Sequence, residues 1–132
     1  MFLPHKSDNG AVLPWETMAA AAGTYKAGQF LNVGSSGLLE TLTAEQDTTP
    51  PYLCMSDKSV AEGELLPVTR VSYSIIYETE LSEDVAGAAP GMTLQVDATG
   101  TMAAEGPGTF ELVRLEGESE GDAVYGRWVA AE

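Results

Sequence analysis

Runs of roughly 5–8 strand-forming residues, broken by turn signals about every 8–12 residues, fill most of this chain from Gln29 onward. The segment Gln29–Val33 is followed by Gly34-Ser-Ser-Gly37 and then Leu38-Leu39, a hairpin with a glycine-rich turn. Tyr52–Met55 follows Pro50-Pro51. Leu65–Val71 runs on into Ser72–Thr79, where Ile75, Ile76 and Tyr77 are strong strand formers. Met92–Val96 alternates apolar and polar residues before Asp97-Ala-Thr-Gly100 turns it. Thr109–Leu115 alternates as well, which puts Phe110 and Leu112 toward a core, with Val113 a candidate beside them. Ala123–Ala130 closes the series, and its Trp128 is expected inside. Such a pattern specifies an all-β sandwich or barrel.

Two stretches repeat an order of residues. Gly28, Leu31, Val33 and Gly37 match Gly91, Leu94, Val96 and Gly100 at a constant offset of 63. A weaker match at an offset of 58 aligns Glu62-Gly63-Glu64 and the run after it with Glu120-Gly121-Asp122 and the run after that. The order is hairpin, strand, acidic-glycine turn, strand in both. The reading is two related β-units, 23–71 and 86–130, within one barrel-like β-domain spanning 19–132. Two units are too few for a solenoid.

Residues 1–18 read as an N-terminal arm. Pro4 and Pro14 discourage helix and central strand. Phe2, Leu3, Leu13 and Trp15 are large apolar groups that disordered tails lack, so the arm is expected to be buried against something. Its own domain and a neighbouring molecule are both open as that something, and these four residues are the candidate interface. Two short helices are expected. Glu16–Gly23 is alanine-rich with a glycine stop. Ser82–Ala86 has a serine N-cap, acids in its first turn and a stop at Gly87.

Charge narrows the function. Against 20 acidic residues stand 6 Lys or Arg, a net charge of −14, and 14 of the acids fall after Lys58. Phosphate contacts need a basic patch, so no nucleic-acid partner is expected, nor an anionic membrane surface. No run approaches the length of a membrane-spanning helix, and the first residues do not form a leader peptide. The expected location is the cytosol, or a particle assembled there.

Catalytic chemistry finds few carriers. The one histidine, His5, reads as a solvated side chain of the arm. The one cysteine, Cys54, sits in the apolar run Tyr52–Met55 and reads as a buried thiol. With one of each, a metal site would need all-oxygen ligands. Glu116, Glu118, Glu120 and Asp122 alternate with Gly and Ser, not with a calcium-loop frame, and read as a solvated acidic turn. There is no phosphate loop and no nucleophile elbow. No catalytic residue, cofactor or metal is expected, and the chain is expected to act through its surfaces.

Several of these segments together resemble a known family. They are Leu13-Pro-Trp15-Glu16, Ala21–Gln29 with Tyr25 and Lys26, Tyr52–Met55, Glu62–Val71 and Ile76–Thr79. In combination they look like the capsid decoration, or cement, proteins of tailed bacteriophages, over most of residues 13–129. The resemblance implies a compact β-barrel or β-tulip domain on the outside of a virion. It implies a homotrimer bound to the major capsid protein, stabilising a shell assembled in the bacterial cytoplasm, with an N-terminal arm making part of the contact. The alternative is a ligand- or carbohydrate-binding β-module of a phage tail or fibre, with Tyr73, Tyr125 or Trp128 as an aromatic platform.

Overall fold

The computed structural model describes residues 1–7, 15–42, 44 and 48–129. Its strands are β1 (Leu3–Ser7), β2 (Glu16–Ala19), β3 (Gly23–Tyr25), β4 (Phe30–Val33), β5 (Leu39–Thr41), β6 (Tyr52–Cys54) and β7 (Lys58–Val60), then β8 (Leu65–Arg70), β9 (Ile75–Glu80), β10 (Thr93–Val96), β11 (Ala103–Ala104), β12 (Phe110–Leu115) and β13 (Ala123–Trp128). They form a five-stranded sheet, β2-β8-β6-β4-β5, a six-stranded sheet, β1-β9-β13-β12-β10-β11, and a two-stranded ribbon, β3-β7. The fold is all-β, as the alternation and turn spacing require.

Neither expected helix forms, and no described residue is helical. Glu16–Ala19 pairs instead with Leu65–Val68 of β8. The run 82–86 is held by backbone bonds to distant segments: the Ser82 N–H donates to the Ala103 carbonyl and the Val85 N–H to the Glu118 carbonyl. Alanine's helix preference is a few tenths of a kcal/mol per residue, and a segment this short cannot repay the cost of a helical nucleus. The expected barrel is not closed either. Each large sheet bends until one isolated parallel bridge joins distant strands: Ala20, just after β2, meets Leu39, and Leu81, just after β9, meets Ala103.

The two large sheets share a strand order. The path β2-β8-β6-β4-β5 recurs as β9-β13-β12-β10-β11, with β1 added outside β9. Hydrogen bonds recur with it. The Gly28 N–H donates to the Cys54 carbonyl as Gly91 does to Leu112, and Gly63 donates to Ala20 as Gly121 does to Leu81. The echoing glycines Gly28, Gly37, Gly91 and Gly100 all adopt φ between 75° and 92°, a region that favours a residue without Cβ.

Adjacent residues of β4 serve different cores. Leu31 joins Tyr52, Cys54, Leu66 and Val68, which pack against Tyr25 and Val60 of the ribbon. Phe30 points the other way, with Leu53, into a cluster with Phe2, Tyr77, Leu94, Phe110 and Trp128. The five-stranded sheet is therefore covered on both faces. The ring centroid of Phe30 lies 4.5 Å from that of Phe2 and 5.4 Å from that of Trp128. In the six-stranded sheet the positions matching Phe30 and Leu53 are Thr93 and Glu111, paired across β10 and β12, and Thr93 is exposed. That sheet keeps one open face.

The segment expected as an arm supplies an edge strand to each sheet, β1 to one and β2 to the other. The terminus is tied down. The Phe2 N–H donates to the Gly28 carbonyl, and the Met1 amine lies 2.7 Å from the Glu80 carboxylate.

Two buried phenols give the fold an alkaline limit. The Tyr77 hydroxyl accepts the Ser72 N–H at 3.2 Å, and burial pushes its pKa up. The Tyr25 hydroxyl donates to the Ala21 carbonyl at 2.7 Å and is also pushed up, by burial first and by the Glu40 charge second. A raised folded pKa means that the unfolded chain gives up these protons first, near pH 10. The stability they supply is complete below that pH and is lost as pH climbs toward the folded values. Thermal melts should accordingly fall between about pH 9.5 and 11, and Tyr77→Phe should flatten that fall. An unchanged slope in the variant would remove Tyr77 as its source.

Candidate binding surface

The four apolar side chains of the N-terminal segment separate in the structure. Phe2 is fully buried in the chain's own core. Leu3, on edge strand β1, is 50% exposed, and Trp15, next to edge strand β2, is 62% exposed. Leu13 lies outside the described residues. Of the three aromatic platform candidates, Trp128 is in the core, while Tyr73 is exposed in the turn between β8 and β9. Tyr125 belongs to a cleft.

That cleft lies on the open face of the six-stranded sheet. Strand register sets one row across this face: Leu3 opposite Glu78, Glu78 opposite Tyr125, and Tyr125 opposite Arg114. Two irregularities flank the row. The register of β1 on β9 slips between Pro4 and Lys6, and that of β12 on β13 slips between Leu112 and Arg114. The extra residues are His5 and Val113. A bulge leaves its residue unpaired, bends the strand and re-aims the side chain. Both bulge residues line a cleft of about 280 Å³ together with Ile76, Arg114 and Tyr125. Val113 is thereby taken from the core position the alternation suggested.

Tyr125 organises the polar groups. The Arg114 guanidinium carbon lies 4.0 Å from the Tyr125 ring centroid. The His5 imidazole meets the same ring edge-on, at 5.0 Å between centroids. Its Nδ1 is 3.8 Å from a Glu78 carboxylate oxygen. The other side of Arg114 reaches Glu116 at 3.5 Å. Stacking a guanidinium on a phenol at an exposed site contributes about 0.5–1 kcal/mol, enough to orient the side chain while its N–H edge donates to Glu116.

The sequence pointed to only one member of this group, Tyr125. His5 reads as a solvated terminal residue, and Arg114 and Ile76 carry no motif. The cleft depends on two bulges, and neither bulge residue is a glycine or a proline that would have marked it.

The remaining chemistry-bearing residues hold the fold. The Glu118 carboxylate accepts the Gly87 N–H at 3.2 Å, Asp122 accepts that of Ser119 at 3.0 Å, and Asp84 accepts that of Glu120 at 2.8 Å. These carboxylates are tied to turn backbone. Among the described residues no three His, Cys, Asp or Glu side chains gather as a metal-holding group. Cys54 is buried, its thiol donates to the Ser56 carbonyl at 3.1 Å, and burial pushes its pKa up. No described helix is long and apolar enough to cross a membrane.

Comparison with known proteins leaves the geometry to speak for itself: no protein-family model matches the chain, and a search of curated proteins finds no match.

Proposed function

We propose that this chain is a structural virion protein that binds the outer surface of a bacteriophage capsid and stabilises the shell, as a homotrimer seated on the major capsid protein. The observation that carries the reading is Trp15, an indole 62% exposed immediately before edge strand β2. Tryptophan is among the residues that dominate interface energetics, and an exposed one leading into an edge strand offers an apolar anchor at the margin of a sheet. Leu3 repeats the arrangement on β1, the edge of the other sheet. The segment-level resemblance to decoration proteins points the same way. So does the charge: a net −14 suits a position outside packaged DNA and keeps free subunits apart in solution. A shell presents many copies of one surface, so modest contacts repeated by a trimer accumulate into firm attachment.

Co-sedimentation with purified phage shells tests the reading. Wild-type protein should pellet with shells and raise the temperature at which they rupture. Trp15→Ala should weaken attachment by roughly 10–100-fold, the range of a hot-spot truncation. The free protein's melting temperature should stay within about a degree, because an exposed side chain contributes little to folding. Wild-type protein that stays in the supernatant would overturn the function, and full attachment by Trp15→Ala would overturn the anchor.

A further inference from the structure

We propose that the cleft between the two bulges binds a polypeptide C-terminus ending in an aliphatic residue, with its carboxylate on Arg114 and its side chain between Ile76 and Val113. This site is separate from the Trp15 anchor and does not depend on capsid attachment.

The chemistry of the lining selects this ligand. Arg114 is held by the Tyr125 ring at 4.0 Å, so its planar N–H fork is oriented before any ligand arrives. A guanidinium so held matches a carboxylate with two parallel hydrogen bonds. Its present neighbour confirms that a carboxylate can reach it: Glu116 approaches to 3.5 Å, with both side chains more than half exposed. Exposed pairs of that kind contribute little, so an arriving carboxylate can replace Glu116. His5, edge-on to the same ring, forms another part of the cleft wall.

The walls separate a peptide end from other anions. Ile76 and Val113 present aliphatic surface, which suits a hydrocarbon side chain and does nothing for inorganic phosphate. A sugar would need an open aromatic face, and the guanidinium already lies over the Tyr125 ring. At about 280 Å³ the cleft sits just below the usual range for drug-sized ligands, which suits a single residue. The edge strand β1 carries His5, so the chain leading into the site would run beside unpaired backbone, as peptides do when they add to a sheet edge.

The probe is N-acetyl-leucine, titrated into the full-length protein while the ring resonances of Tyr125 and His5 are followed by NMR. A saturable shift with a Kd on the order of 1–10 mM is expected, the affinity open to one oriented ion pair and one small apolar contact. N-acetyl-leucinamide, which lacks the charge, should bind at least ten-fold more weakly. Arg114→Gln should abolish the response, and Glu116→Gln, which removes the competing carboxylate, should tighten binding several-fold. Both positions are exposed, so melting temperatures should stay within a few degrees of the wild type, which separates lost binding from lost folding. The proposal is overturned by no saturable shift up to about 50 mM, by equal response to acid and amide, by binding retained in Arg114→Gln, or by no gain in Glu116→Gln.

Discussion

Replacing Phe2 by alanine should lower the melting temperature by roughly 10–20 °C, the largest effect expected from any substitution near the terminus. Terminal residues usually tolerate change because they fray. Phe2 is fully buried, and its ring touches three others, with centroids 4.5 Å from Phe30, 5.4 Å from Phe110 and 6.2 Å from Trp128. Phe30 belongs to the five-stranded sheet and the other two to the six-stranded one. Truncation would leave a void at the meeting of the two sheets. Phe→Ala in a core costs about 3–5 kcal/mol through lost transfer energy and the cavity left behind. Leu3→Ala, next along the chain and half exposed, should cost under about 1 kcal/mol. Thermal and urea unfolding of the pair measure the contrast. Near-equal midpoints would show that the N-terminal strand contributes nothing to cohesion between the sheets.

The second large effect should come from Gly108→Ala. A Cβ at this position would run into the Leu94 carbonyl and lie 2.8 Å from the Gln95 Cα. These are backbone atoms of β10, which is paired on both sides, so they cannot step aside without disturbing a ladder. Overpacking usually costs about 1–3 kcal/mol, and a clash with fixed backbone belongs at or above the top of that range. Gly121→Ala supplies the comparison. Nothing lies within 4 Å of its added Cβ, but its φ is +85°, so it tests backbone conformation without crowding, at about 1–2 kcal/mol. Chemical denaturation should place Gly108→Ala clearly below Gly121→Ala in stability. The reverse order would mean that β10 shifts freely to make room.

The β class was legible because alternation and burial agree. Phe110 and Leu112 face inward on β12, and Trp128 is in the core, as their spacing requires. The glycines that stood out in the sequence at an offset of 63 occupy left-handed turns that few other residues accept. What stayed hidden was decided by partners far along the chain. The alanine run at 16–23 looks helical until β8, some fifty residues later, offers it a ladder. For Phe2 the sequence left its own domain and a neighbour equally open, and only the assembled core places it inside. The break between β8 and β9 also escaped notice, since Leu65–Thr79 reads as nearly continuous strand. The signal was present in Ser72 and Ser74: the Ser72 hydroxyl accepts the Ser74 N–H at 3.2 Å, a serine turn that lets the chain leave one sheet for the other. The cleft was the least legible part, because it depends on two bulges whose residues, His5 and Val113, have no turn-forming character.

The placement of β1 has a kinetic consequence. Every other strand of the six-stranded sheet comes from residue 75 onward, yet its edge is made by Leu3–Ser7. On a ribosome these residues emerge about seventy residues before their partner, β9. The whole five-stranded sheet is threaded between them in sequence. Closing so long a loop is slow, and the contact that closes it also brings Phe2 between the sheets. The first half can therefore begin to pair before the second exists, but the molecule completes its core only when β1 finds β9. The same closure acts in reverse. Neither sheet can peel away while Phe2 remains seated, so the two halves, alike in strand order, should unfold as one cooperative body.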